Sequence, residues 1–419
     1  MPSLRVAARR ENMAVTDTQV RDMQAMAKGL ALSFALFGTA MASSEALAQR
    51  DPLGGQFGVV EVALSPAEAA KDVELIGEAL ANLALQRPGV VDTYVISASF
   101  WNDPVFENEA SQAAAVLARR YDASDRTIVL SAGRGARTQR TYPSASPNNF
   151  NAAIGKVAKV MDPKEDLLVV FVTSHGGQDG AVALQEAGRL GGALRALHLR
   201  TSLQAAGIQT KLVIVSACFS GHFILPFSNP DTVVLTAAAA DKTSFGCEPS
   251  RDWTFFGDAL FNHALRGGTS VTQAFDAARE IITAWETDMH GVWQAKPAAT
   301  RAREQEPLAS NPQVASGDRA LAVIAAAESY GNAISCAGHL SFALDRAKTG
   351  RPLKGLADVN TITRALTAAT DRATEQGQAR GRSPQDTGKA IVAVSTTALQ
   401  LYQGQSAHIT GHATQCMGP

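Results

Sequence analysis

A histidine and a cysteine each come just after a long apolar segment of the chain. His175 follows residues 166–173, which read DLLVVFVT, and Cys218 follows residues 211–217, which read KLVIVSA. A thiol beside an imidazole forms a nucleophile and base pair, because the imidazole lowers the pKa of the thiol. We therefore expect Cys218 to be a nucleophile that carries thiolate at neutral pH, with His175 as its general base and acid.

Backbone groups beside this pair are suited to binding an oxyanion. Gly176 follows the histidine and permits close backbone approach, since it has no β-carbon. We expect the N–H groups of Gly176 and Cys218 to form an oxyanion hole. This chemistry needs no cofactor and no metal, and we expect neither. Taken singly, such a cysteine is most often core and a His-Gly pair is most often a turn, so the specific signal is their joint position after two apolar segments.

The two apolar segments belong to a longer alternation of strands and helices. Strand patterns occupy residues 90–97, 127–131, 166–173, 211–217 and 231–236, and helix patterns occupy residues 67–85, 108–121, 148–160, 201–206, 253–265 and 271–285. Strands that are apolar on both faces and separated by helices predict an α/β fold with a parallel sheet covered on both sides. Ligands bind at the carboxyl ends of such strands. If the two segments are neighbours, about 4.8 Å apart, His175 and Cys218 come within side-chain reach.

The pattern changes in the C-terminal part of the chain. Residues 294–317 are rich in proline, alanine and charge, which predicts a long surface loop. Helical patterns then occupy residues 320–346, 357–376 and 387–403, without a convincing strand. We therefore divide the chain into a leader at residues 1–48, a catalytic domain at residues 49–318 and a helical extension at residues 319–419.

The leader has the layout of an export signal. Lys28 precedes an apolar run at residues 29–42, and a polar stretch then ends in Ala46-Leu47-Ala48. This order is typical of a cleaved secretory signal, and the run is shorter than the roughly 20 residues that span a bilayer. We expect an exported protein, periplasmic or secreted, with no membrane span after signal removal. A buried core helix or a single anchoring helix is the alternative.

Composition limits the classes of function. The 419 residues include 38 basic and 39 acidic side chains, a formal net charge of −1, which argues against a general nucleic-acid binder. Hydrophobic residues make up 46% of the chain and charged residues only 18%, so a packed core is expected. Nothing in the composition indicates an oligomeric state.

The residues around the pair resemble a known family. TSHGG, followed 43 residues later by the cysteine of VIVSACFSG, is similar to the legumain-like cysteine peptidases, relatives of the caspases. Other segments resemble bacterial members over residues 57–318, namely RPGVVDTYVIS, DPVFENEA, MDPKEDLLVVFVTSHG, LTAAAADKTSFGC, WTFFGDALF and SNPQVASGD. The resemblance implies a caspase-like three-layer α/β/α sandwich and a polypeptide substrate. It also implies peptide-bond hydrolysis through a thioester on Cys218, with His175 as the catalytic histidine.

Departures from the family pattern concern the substrate pocket. Legumains carry an acidic residue two positions before the nucleophile, where this chain has Ser216. They also carry a basic residue after the first strand, whereas residues 101–109 contain no Lys or Arg. Glu248 and Asp252 lie in a stretch that contributes to the pocket in the family, so a pocket for Lys or Arg is our expectation. Asn102 is a weak candidate for a third catalytic residue.

Three alternatives remain beside a hydrolytic peptidase. An α/β-hydrolase with a cysteine nucleophile would place Cys218 before its histidine and would recruit His263 or His290. A non-catalytic caspase-like module would bind or scaffold other proteins. The family also contains the catalytic subunit of the GPI-anchor transamidase, in which an amine replaces water at the acyl-enzyme.

The helical extension holds two further cysteines, Cys336 and Cys416. In an exported protein they can pair and tie the C-terminus to the first helix of the extension. Unpaired thiols are one alternative. A metal site formed with His339, His408 and His412 is another.

Overall fold

The computed structural model describes residues 60–62, 64–133, 139–356 and 358–417. The leader predicted at residues 1–48 lies outside these residues. Nine strands form two sheets within the described part of the chain. In chain order they are β1 Val60–Glu61, β2 Thr93–Ser99, β3 Thr127–Ser131, β4 Leu167–Thr173, β5 Val182–Glu186, β6 Leu190–Leu194, β7 Lys211–Ser216, β8 Thr232–Thr236 and β9 Gln313–Ser316.

The main sheet has six strands in the order β3-β2-β4-β7-β8-β9. Its first five strands run parallel, and only β9 is antiparallel to its neighbour. Strands β4 and β7 are buried along their whole length, which explains why they lack the alternation of a half-exposed strand. The small sheet is antiparallel and has the order β1-β6-β5.

Helices cover both faces of the main sheet. They are α1 Pro66–Ala81, α2 Pro104–Arg120, α3 Pro147–Val160, α4 Ala196–Ala205, α5 Ile224–Phe227, α6 Phe255–Gly257, α7 Val271–Gln294, α8 Ala298–Arg301, α9 Asp318–Lys348, α10 Val359–Ala379 and α11 Pro384–Gln415. Helices α1, α3 and α4 pack on one face, and α2, α7 and the first part of α9 pack on the other. The predicted α/β/α sandwich with a mostly parallel sheet and a C-terminal helical region is confirmed.

Four strands were not visible in the sequence, including the two-residue strand β1. The hairpin of β5 and β6 contains Gly191 and Gly192, and glycine is depleted in strands because it has no side chain to pack. Strand β9 has four residues at the edge of the sheet and is partly exposed. It lies within the predicted loop at residues 294–317, which also contains α8, so the prediction of one continuous loop is wrong.

Helices α9, α10 and α11 form their own hydrophobic cluster. Cys336 of α9 and Cys416, just after α11, are joined by a disulfide, which confirms the predicted pairing. The prediction of a metal site is wrong, because the disulfide leaves neither cysteine available as a ligand. Within the described residues, no group of three potential metal ligands lies together.

Helix α9 contributes residues to two hydrophobic clusters. Ala320, Ile324 and Ala327 lie in the cluster beneath the main sheet, whereas Ala337 and Leu340 belong to the cluster of the extension. The helix has 31 residues and is long and apolar enough to cross a membrane, with 56% of its most apolar window buried in the protein. The core helix of a globular protein passes the same test, so the expected absence of a membrane span stays a prediction.

Candidate active site

The register of two neighbouring strands sets the positions of His175 and Cys218. Strands β4 and β7 pair in parallel with Thr173 opposite Ser216, the last residue of each strand. The N–H of Ser174 continues the ladder and donates to the carbonyl of Ser216 over 3.1 Å. His175 and Cys218 each come two residues beyond this pair, at the same height on the carboxyl edge of the sheet. The prediction that the two segments are neighbours is confirmed.

Gly176 packs directly against the nucleophile's backbone. A β-carbon at this position would lie 1.9 Å from the carbonyl oxygen of Cys218 and 3.1 Å from its nitrogen. Gly176 lies opposite Val182 of β5 in an isolated antiparallel bridge. The N–H of Gly177 donates to the carbonyl of Ala181 and the N–H of Ala183 donates to the carbonyl of His175, so the N–H of Gly176 is not used in the bridge. The backbone of Gly176 therefore lies beside that of Cys218.

The imidazole of His175 lies between two aromatic rings. Trp101 and Phe106 contact it edge to face, with ring centroids 4.9 and 5.0 Å away. The residue is only 3% exposed. Burial lowers the pKa of His175 to about 4, although the nearby charge of Asp103 acts in the opposite direction. His175 is therefore a neutral imidazole at pH 7.

The thiol of Cys218 contacts Ser244, in the segment that follows β8. The N–H of Ser244 lies 3.3 Å from Sγ, and the thiol lies 3.6 Å from the carbonyl of Ser244. Burial raises the pKa of Cys218, and these contacts offset it only in part. The expectation of a thiolate at neutral pH is wrong for this structure, because burial disfavours both charged partners of the pair.

A sharp turn follows the nucleophile. Phe219 has a φ of +57°, in the left-handed region that non-glycine residues rarely adopt. Its N–H donates to the carbonyl of Lys242 over 2.7 Å, which holds the turn. Backbone strain of this kind concentrates at functional sites.

Residues 95–300 match the model of the peptidase C13 family, the legumain family. This region belongs to the peptidase C13 family. A comparison with curated proteins found no match. The family supports a cysteine peptidase or transamidase, and both activities require a nucleophile of the kind that the β7 edge presents. The matched region is called the C13 domain below.

The residues predicted for the substrate pocket do not all lie together in the C13 domain. Ser216 is buried beneath the nucleophile. Burial raises the pKa of Cys247, and its interactions with Cys218 and Glu248 act in the same direction. Asp252 is exposed and accepts a hydrogen bond from Asn108 over 3.2 Å. Asn102 is 5% exposed, and its Oδ1 atom has no hydrogen-bond partner within the described residues.

The histidines of the rival interpretation have other partners within the described residues. The ring of His290 bonds to Glu306 over 2.8 Å, and the ring of His263 packs against Trp285. Because the sheet has the caspase-like arrangement and the histidine strand precedes the cysteine strand, the α/β-hydrolase interpretation is not supported.

Sequence reasoning missed the roles of Trp101, Phe106, Ser244 and Glu109. Trp101 comes two residues after β2 and Phe106 lies in the first turns of α2, and their aromatic character was a signal that something apolar packs at this edge. Ser244 and Glu109 gave no such signal, since serines and glutamates are mostly exposed.

Proposed function

We propose that the C13 domain is a cysteine endopeptidase. Sγ of Cys218 attacks the carbonyl carbon of a peptide bond while His175 takes the thiol proton, and the protonated His175 then gives that proton to the leaving amine. Water next hydrolyses the thioester, with His175 again taking and returning a proton. The observation that carries this proposal is the Thr173–Ser216 register, which leaves His175 and Cys218 level at one edge of the sheet.

The pKa shifts favour a general-base mechanism over a preformed ion pair. Burial keeps both His175 and Cys218 neutral in the free enzyme. The proton therefore moves as the carbon–sulfur bond forms, when negative charge passes to the substrate oxygen. In this proposal the N–H groups of Gly176 and Cys218 bind that oxygen, and a donor of this kind contributes about 10²–10³ in kcat.

A basic residue on the acyl side of the cleaved bond suits the charges around the nucleophile. Asp103 and Glu248 both interact electrostatically with Cys247, which lies near Cys218. Asp252 contributes less to this charge, because it is exposed and accepts a hydrogen bond from Asn108. A peptide library read by the sequence on the acyl side tests this preference, and strict cleavage after Asn or Asp contradicts it.

Export of the protein is a further part of the proposal. The disulfide between Cys336 and Cys416 suits an oxidising compartment, where such bonds persist. Residues 28–48 have the layout of a cleaved signal. Fractionation of cells with an antibody to the C13 domain tests this, and recovery of the intact leader in the cytoplasm contradicts it.

The decisive experiment compares two cysteine variants. Cys218 and Cys247 are both free thiols, so Cys247→Ala is a matched control for Cys218→Ala. We expect Cys218→Ala to lose peptide cleavage and labelling by a thiol-reactive peptide probe, whereas Cys247→Ala keeps both. Full cleavage by Cys218→Ala refutes the peptidase, and a wild-type protein that neither cleaves nor labels supports a scaffold. Adding glycinamide to the reaction distinguishes a transamidase, because the amine then appears joined to the acyl fragment.

A further inference from the structure

The carboxylate of Glu109 lies under the candidate active site. Glu109 belongs to α2 and is 0% exposed. Three hydroxyl groups surround it. Ser216 donates to Oε1 over 3.2 Å, Thr254 donates to the same oxygen over 2.6 Å, and Thr173 donates to Oε2.

These three hydroxyls come from the three segments that form the site. Thr173 ends β4 two residues before His175, and Ser216 ends β7 two residues before Cys218. Thr254 caps α6, in the segment that also contains Ser244, the contact of the Cys218 thiol. The hydroxyls of Ser216 and Thr254 lie 3.1 Å apart, so the segments are joined to one another as well as to Glu109.

The carboxylate of Glu109 also packs against the helical segment that follows Thr254. A β-carbon at Gly257 would lie 1.8 Å from Oε1 of Glu109, so the helical segment after Thr254 packs directly on the carboxyl group. Burial raises the pKa of Glu109 to about 7, while the three hydroxyl contacts lower it. The three donors stabilise the buried group, because a buried acceptor without hydrogen bonds is costly.

We propose that Glu109 is a positioning residue, which joins the ends of β4 and β7 to the Thr254 segment and so fixes the positions of His175 and Cys218 relative to each other. The inference rests on the proposed Cys218–His175 chemistry. Its effect is large for a residue that does not touch substrate, since a misplacement of about 1 Å can reduce a rate by about 10²-fold.

Two substitutions separate hydrogen bonding from side-chain size. Glu109→Gln keeps the shape, and its amide can accept from Ser216 and Thr254 while donating to Thr173. Glu109→Leu keeps a similar volume without any of the three bonds. We expect kcat of Glu109→Leu to fall about 10²-fold with KM changed by less than about 3-fold, and Glu109→Gln to stay within about 5-fold of wild type in both.

Alkylation of Cys218 by iodoacetamide provides a readout that needs no peptide substrate. The pH profile of the alkylation rate is measured for wild type, both Glu109 variants and His175→Ala, with Cys218→Ala identifying the labelled thiol. We expect Glu109→Leu to follow His175→Ala and Glu109→Gln to follow wild type. Thermal unfolding of each variant shows that the fold is retained.

Two further variants apply if Glu109→Leu does not fold. Thr173→Val and Ser216→Ala each remove one of the bonds, and Ser97→Ala is the matched control, since its buried hydroxyl donates to the carbonyl of Ala110 of α2 and not to Glu109. We expect the first two to shift the alkylation profile towards His175→Ala and the control to leave it unchanged. A wild-type profile in Glu109→Leu, or in both single-bond variants, overturns the role of Glu109 alone. Identical profiles for wild type and His175→Ala overturn the proposed dyad and this inference with it.

Discussion

Gly176 lies against the backbone of Cys218 so closely that a β-carbon on it would approach the cysteine's carbonyl oxygen to 1.9 Å. The contact places the residue after the histidine beside the nucleophile's own N–H group. It follows from the shared register of β4 and β7, and it makes glycine a requirement at this position rather than a matter of chain flexibility.

Gly176→Ala should impair catalysis strongly. The added methyl group must push the backbone of Cys218 away, which displaces one or both oxyanion donors, so we expect kcat to fall about 10²–10³-fold. Gly155→Ala is the control, since a β-carbon at Gly155 of α3 meets nothing within 4 Å. Steady-state kinetics on both variants measure the effect, and equal kcat values for the two would contradict the packing argument.

The acid limb of the pH–rate profile should lie near pH 4. In the proposed mechanism the neutral form of His175 is the base, and a pKa lowered to about 4 keeps this form present well below the usual His range. Phe106→Ala admits water to the ring and should move the limb upward, towards the ordinary value of about 6.5. The measurement is kcat/KM against pH, with unfolding followed in parallel. A wild-type limb near 6.5 would show that the imidazole is solvated.

Acidification should destabilise the extension through its buried histidines. Burial lowers the pKa of His339 to about 4 and of His412 to about 3, so the unfolded chain binds these protons more readily than the folded one. The two neutral histidines make their full contribution to the free energy of unfolding above the unfolded pKa of about 6.5. As the pH falls below that value, the free energy of unfolding decreases by up to ~1.4 kcal/mol per pH unit for each histidine. Urea unfolding at several pH values should show a smaller loss in His339→Gln than in wild type, and parallel curves would refute the assignment.

The disulfide should stabilise the protein and lower the number of reactive thiols. Cys336 and Cys416 are 80 residues apart in sequence, and closing such a loop can stabilise the protein by about 4 kcal/mol, an upper figure. Joint replacement of both cysteines by serine should lower the free energy of unfolding by up to that amount. Titration of the denatured, unreduced protein should find two reactive thiols, Cys218 and Cys247. Four thiols would exclude the bond.

The amino-acid sequence by itself determined the five parallel strands of the main sheet and the residues that follow two of them. Residues 166–173 and 211–217 are apolar on both faces, and this local pattern was enough to predict buried parallel strands. Because the carboxyl ends of parallel strands lie along one edge of a sheet, His175 and Cys218 were identified as a pair without any knowledge of contacts.

Only the tertiary structure decided which strands are neighbours and what surrounds the pair. Strand β7 lies beside β4 although a hairpin and a helix separate them in the chain. The contacts of His175 with Trp101 and Phe106 set its pKa, and the carboxylate at Ser216 comes from Glu109, more than a hundred positions earlier. Side-chain periodicity is a property of neighbouring residues, whereas burial and hydrogen bonding depend on segments that meet only when the sheet and its helices pack together.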